Sequence, residues 1–341
     1  MGQHILNNNL IVAQLAEYQN ATKIHGGSVL GHKVIHRDRE AAAHRLFNDY
    51  FFENPTFNEG MFRRRFRMSR SLFLRIVDAV KNHNGFFEQR MDCTGRWGLS
   101  RPQKITAAFR ILAYGVPADA TDEYINISES TAIKCVKKFC RAIVEIFSDQ
   151  YLRSPNASDV ARLLYIGKQR GFPGIGITPP THYVIQGKEY NVGYYLADGI
   201  YPKWSTLVQT FHEPRSVKKK FFAMRQESCR KDVERAFGVL QSRFVIVANP
   251  ARYWQKKHLD NIMKACIIMH NMIVEDERDL SAPIEIAREV PIPDVETMPN
   301  ETNHFQDFLG RYKKIKDRVS HFALRDALVD HIWDEFSNLE N

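Results

Sequence analysis

Apolar residues recur at helical spacing through the first half of the chain. Leu72, Ile76, Ala79 and Val80 share one face of the segment 69–83, and Ser69 stands where it can cap it. Ser100 and Pro102 open a second helical segment that runs to Tyr114 and stops at Gly115 and Pro117. A short helix is expected at about 120–125. Ser128 then opens a longer one over 129–147, with Ile133, Val136, Phe139 or Cys140, Ile143 and Phe147 as its buried stripe. Helices are also expected over 39–52 and 158–168, while 57–66 reads as a loop or short turn.

The pattern changes at Arg170-Gly-Phe-Pro-Gly174. Residues 183–186 and 189–197 read as a hairpin around Gly187, 218–242 as one long helix, 244–247 as a short strand and 259–276 as an apolar helix. Four prolines and several acids make 281–302 a linker or surface loop, and 305–336 is helical again. Residues 1–39 are polar and read as a flexible arm. The fold class expected is α+β. A helical region at 40–170 precedes a mixed region at 171–280, the linker, and a helical tail at 303–341.

Composition adds charge to this picture. The 341 residues carry 48 Lys+Arg against 39 Asp+Glu, and the net +9 favours a polyanionic partner. Cys93, Cys135, Cys140, Cys229 and Cys266 are scattered, odd in number and without a CxxC pair. That argues against a disulfide framework or a structural zinc and fits a reducing compartment. The N-terminus lacks the basic start and apolar core of a secretion signal, and apolar runs such as 244–248 are too short to span a bilayer. No membrane partner is expected.

Two carboxylates carry the candidate chemistry. Asp198 follows the β-prone alternation Tyr190, Val192, Tyr194, Leu196, and so falls where a strand gives way to Gly199 and Pro202. Glu234 lies on the long helix, roughly 90° from the centre of a stripe formed by Val233, Phe237, Leu240 and Phe244. A strand-end Asp and a helix-border Glu can share a divalent ion, and Gly238 would let a substrate backbone approach. The plainer alternatives are a turn Asp before Gly and a solvated Glu paired with a neighbouring Arg.

Basic residues form a second group. The helix at 120–125 followed by that at 129–147 reads as a helix-turn-helix, with Ser130 and Lys134 at the groove-facing end and Lys137, Lys138 and Arg141 near phosphates. An amphipathic bundle helix with a charged outer face fits equally well. Arg63, Arg64 and Arg65 either track phosphates or form a solvated basic turn. His270, in Ile267-Ile-Met-His270, reads as a hydrogen-bonded core histidine.

Four segments together resemble the PIF/Harbinger transposases and their domesticated nuclease-like relatives. They are Arg170-Gly-Phe-Pro-Gly174, Tyr190-Asn-Val-Gly-Tyr-Tyr-Leu-Ala-Asp-Gly-Ile-Tyr-Pro-Lys-Trp204, Arg225-Gln-Glu-Ser-Cys-Arg-Lys-Asp-Val-Glu-Arg-Ala-Phe-Gly-Val-Leu240 and Ile267-Ile-Met-His-Asn-Met-Ile-Val-Glu-Asp-Glu277. The resemblance extends from about residue 40 to the C-terminus. It implies an RNase H-like catalytic domain whose Asp-Asp-Glu triad holds two divalent ions, magnesium or manganese. Asp198 corresponds to the second acid and Glu234 to the third, as catalytic residues and metal ligands. The first Asp of the family follows closely on Gly-Phe-Pro-Gly, but here Gly174 runs through Ile175, Gly176, Ile177 and Thr178 into Pro179-Pro180. On the order of tens of residues, including core strands, are missing by this comparison. The resemblance therefore implies a nuclease by descent with a damaged centre, DNA and a Myb/SANT-like protein as partners, and a nuclear location.

Overall fold

The computed structural model describes residues 35–176, 182–278 and 315–340. Residues 1–34 of the arm expected at 1–39, the linker at 281–302 and residues 305–314 of the expected tail helix lie outside them.

Local signals account for the helical half. In α1 (Arg39–Tyr50), Ala42, Leu46 and Tyr50 turn inward at four-residue spacing. α3 (Arg70–His83) starts where the Ser69 hydroxyl accepts from the Leu72 amide. α4 (Arg101–Tyr114) carries a reciprocal capping box between Ser100 and Gln103, and ends at Gly115 in the left-handed conformation. α6 (Glu129–Tyr151) buries Ala132, Val136, Phe139 and Ile143 against α4 and against α9 (Lys256–Asp276). Ser128 precedes α6, although its hydroxyl bonds Thr131 rather than a backbone amide.

The segment expected as a loop at 57–66 is instead a helix, α2 (Glu59–Phe66), capped by Asn58. Tertiary burial decides this. Phe62 and Phe66, one turn apart and fully buried, stack at 4.3 Å, and Phe66 meets Tyr50 at 5.2 Å and Phe73 at 4.7 Å. The short helix α5 (Asp122–Ile125) precedes α6 across Asn126, which takes the left-handed turn conformation that Asn tolerates.

A second, smaller core follows α7 (Ala157–Gln169). The hairpin pairs β1 (Tyr183–Ile185) with β2 (Lys188–Tyr190) through Gln186 and Gly187, both at positive φ as a two-residue primed turn requires. The expected single strand over 189–197 is broken after Tyr190. Its far end, β3 (Tyr195–Ala197), runs parallel to β4 (Leu207–Gln209). Ile175 bridges to Tyr194 beside β3. Gly174 is held at φ +80°, and a Cβ there would meet the Tyr183 ring at 2.3 Å. Phe172, Tyr194, Val208 and Phe222 form this core with Leu324, Leu328 and Ile332 of α10 (Arg318–Glu340). Helix with these short strands agrees with the α+β class.

α8 (Val217–Arg243) joins the two cores. Phe222 and Gln226 are buried in the small core, whereas Leu240 and the following Phe244 belong to the helical core. The expected stripe of Val233, Phe237, Leu240 and Phe244 exists, but only its end is covered. Residues 231–239 are exposed on all sides, Val233 by 60% and Phe237 by 56%. The residues expected as a strand at 244–247 instead turn as a 3-10 helix, Val245–Val247, whose backbone approaches Gly115.

Equilibrium denaturation separates the covered from the bare positions. Phe66→Ala should cost about 3–5 kcal/mol, and Phe237→Ala should stay within about 0.5 kcal/mol of the parent. A loss above about 2 kcal/mol for Phe237→Ala would mean that the middle of α8 is packed.

Candidate functional site

The candidate site is where β3 ends against α8. Gln226, fully buried, sets the register: its amide nitrogen donates to the Ala197 carbonyl at 3.0 Å and to the Val208 carbonyl at 3.1 Å. One side chain of α8 thus grips both strands of the parallel pair. Asp198 is the next residue after Ala197, and its carbonyl accepts from the Tyr201 amide at 3.2 Å to start the turn. Arg230 is one turn after Gln226 and Glu234 one turn after that, so strand end and helix face converge.

Arg230 takes the space between the two acids. Its Nη1 lies 2.5 Å from Asp198 Oδ2 and its Nη2 3.4 Å from Glu234 Oε1. Across the planar fork the two carboxylate oxygens are at most about 8 Å apart. The Arg230 side chain is 24% exposed, against 43% for Asp198 and 62% for Glu234. Glu227, a turn before Arg230, bonds Lys231 at 2.9 Å; this pairing lowers its carboxyl pKa, and the nearby charge of Asp198 opposes the shift. Three acids here face two bases. On the next flank Asp232 pairs with Arg170 and with Arg235, and Arg170 foremost holds its carboxyl below the usual range.

This donor set does not fit a two-ion centre. Such a centre needs carboxylates that bridge ions about 4 Å apart, whereas here a guanidinium already joins the pair. Among the described residues no group of three or more His, Cys, Asp or Glu side chains is placed to hold a metal. Between Gly174 and Asp198 the sequence has one acid, Glu189, and it pairs with His182 on the hairpin at 3.4 Å. Asp159, the nearest acid upstream of Gly174, caps α7 and binds Arg153 at 2.5 Å.

The basic residues fall into two groups. On α6, Ser130, Lys134, Lys137, Lys138 and Arg141 share one face by helical spacing, opposite the buried stripe. Ser130, Lys134 and Arg141 are exposed, and Lys137 and Lys138 are half-buried. Arg141 is bound to Glu145 at 2.7 Å, and Glu145 also takes His83 at 2.8 Å; these bonds, His83 first, hold its carboxyl low. On α2, Arg63 pairs with Glu277 at 3.4 Å, Arg65 bonds the Tyr50 hydroxyl with its guanidinium 3.8 Å from the Phe57 centroid, and Arg64 is exposed. Arg65 is therefore a packing residue of a helix rather than part of a basic turn. His270 is half-buried near Arg243, 3.3 Å from its Nη1, and burial lowers its pKa.

Residues 175–281 match the family described as plant transposon protein, and residues 43–81 match one described as a domain of unknown function. No curated protein and no solved structure matches the chain. The first match spans Asp198, Gln226, Arg230 and Glu234, and it supports a transposase-related chain. The plainer alternative for Glu234, a solvated Glu paired with a neighbouring Arg, is the pairing with Arg230; sequence reasoning missed the role of Gln226 and the reach of Arg230 to Asp198. Their signal was the four-residue spacing Gln226, Arg230, Glu234, which stacks an amide, a guanidinium and a carboxylate along one helix edge.

The ion pairs differ in burial, so their removal should differ in cost. Glu234→Ala should change stability by less than about 0.5 kcal/mol. Gln226→Ala removes a buried donor from the Val208 carbonyl and leaves the Ala197 carbonyl only the Thr210 amide at 3.4 Å, and should cost about 1–3 kcal/mol, read by thermal or urea unfolding. Equal effects would mean that Gln226 does not clamp β3 and β4 to α8.

Proposed function

We propose that this chain is a PIF/Harbinger transposase-derived, DNA-binding protein whose nuclease centre no longer cuts DNA. The observation that carries the reading is the Arg230 guanidinium bonded to both Asp198 and Glu234. In this reading Asp198 and Glu234 are the second and third acids of an RNase H-like centre, and Arg230 is the counter-charge that keeps them together without metal. The segment after Gly174 runs beside β3, where the first acid of the family would lie, but it reads Ile175-Gly176. With no acid at that position, magnesium or manganese has no bridging ligand, and no hydrolytic step is assigned.

DNA binding in this reading falls to the basic face of α6, helped by the exposed Arg64, in a nuclear protein with a net charge of +9. The bare middle of α8 favours a second reading, that of a non-catalytic nuclear interaction protein. Val233 and Phe237 continue a stripe that is buried at both ends, so a partner such as a Myb/SANT-like protein could cover it.

Full-length protein incubated with supercoiled plasmid and magnesium or manganese should leave it intact. Robust cleavage that Glu234→Ala abolishes would overturn the proposal. Duplex binding, followed by anisotropy, should weaken with salt by about −0.9 in log–log slope for each phosphate neutralised. Lys137→Ala with Lys138→Ala should flatten that slope. Affinity that ignores salt would leave the interaction reading in front.

A further inference from the structure

Next to the basic face of α6 lies a groove of about 370 Å³. Its floor is apolar: Ile111 from α4, Ile133 from α6 and Ile246 from the 3-10 turn. Tyr253, Lys137, Arg252 and Glu129 also line it, and Trp254, fully exposed, stands at its edge. Lys137 reaches over the Tyr253 ring at 5.9 Å from its centroid, so the α6 face and the segment 252–258 make one continuous surface.

Two features of this surface are costly in the protein alone. Trp254 is fully exposed, although an indole gains most from burial or stacking. α9 begins directly after it with Lys256, Lys257 and His258, has no acid in its first turn, and receives no side-chain cap from Gln255. Cations at the positive end of a 21-residue helix repel its dipole. Asp260, the next acid along α9, is taken by Lys264 at 2.9 Å. The His258 imidazole feels the same field: burial first, then Lys137 and Lys257, lower its pKa. An anion at this helix start would relieve the repulsion, and a flat ring would cover the indole.

We propose that the groove takes an unpaired base of single-stranded DNA. The base stacks on Trp254, and its flanking phosphates lie between Lys137, Arg252 and the first turn of α9. Aromatic platforms beside a basic track are how proteins hold unpaired strands without reading their sequence. The groove accommodates one nucleotide-sized ligand, and the charge around it matches phosphate apart from Glu129 at one edge. This proposal rests on the DNA-binding reading above and adds to it a strand-specific contact.

The test is an anisotropy titration of the full chain with fluorescein-labelled oligothymidylate and with a labelled duplex, for the parent, Trp254→Ala and Trp254→Phe. Trp254→Ala should weaken oligothymidylate binding roughly tenfold or more, Trp254→Phe much less, and duplex binding should move less than about twofold. Trp254 is exposed, so its variants should unfold at the parent temperature. Parent protein that binds duplex but not oligothymidylate overturns the groove and leaves DNA binding standing. Equal binding of the parent and Trp254→Ala to oligothymidylate does the same and makes Trp254 a contact for another protein. A parent that binds neither DNA overturns both.

Discussion

α8 is held at its ends and bare in between, and most of the molecule depends on that arrangement. At one end Gln226 grips the carbonyls of Ala197 and Val208, which fixes the parallel strand pair to the helix. At the other, Leu240 and Phe244 enter the helical core among α4, α6 and α9. Between them nine consecutive residues meet solvent. A helix this long survives such exposure because backbone hydrogen bonds and pairs such as Lys231–Glu227 support it locally. The same clamp brings Asp198 and Glu234 within reach of one guanidinium.

The Arg230 guanidinium is placed to hold the two acids as neighbours. Two carboxylates alone would repel, and the Gln226 clamp holds the strand end against the helix whichever charge lies between them. Arg230, the least exposed of the three, offers one nitrogen to each acid. A single positive charge suffices for two partly solvated acids, but it supplies neither the Lewis acidity nor the activated water of hydrolysis. The match of residues 175–281 to the family described as plant transposon protein covers the stretch in which Asp198, Gln226, Arg230 and Glu234 lie, and supports a transposase-related chain.

The local chemistry of the helices was legible before the fold. Ser69, Ser100, Pro102 and Gly115 act within one turn of themselves, so their spacing carries the outcome, whereas the reciprocal bond from Gln103 appears only in the structure. Asp198 at a strand end and Glu234 on a helix edge were legible for the same reason. Three other features were not. α2 forms because Phe62 and Phe66 find Tyr50 and Phe73 across the core, with Asn58 as its cap, and only Gly60 opposes it. Residues 244–247 are β-prone, yet without a strand beside them they turn against Gly115. The stripe on α8 was read as buried, but a stripe says only which face would be covered. Whether Val233 and Phe237 are covered depends on elements elsewhere in the chain. The groove beside Trp254 was likewise invisible, because α6 and the segment 252–258 meet only in space.

The central claim of the proposed function is that Arg230, in place of a divalent ion, holds Asp198 and Glu234 together. A titration of the full chain with manganese, followed by the loss of the free-ion paramagnetic signal, tests this most directly. The account predicts no saturable binding that depends on Glu234. The parent and Glu234→Ala should give the same titration curve, with Arg230→Ala free to differ. A stoichiometric manganese site in the parent that Glu234→Ala or Asp198→Asn abolishes would contradict it.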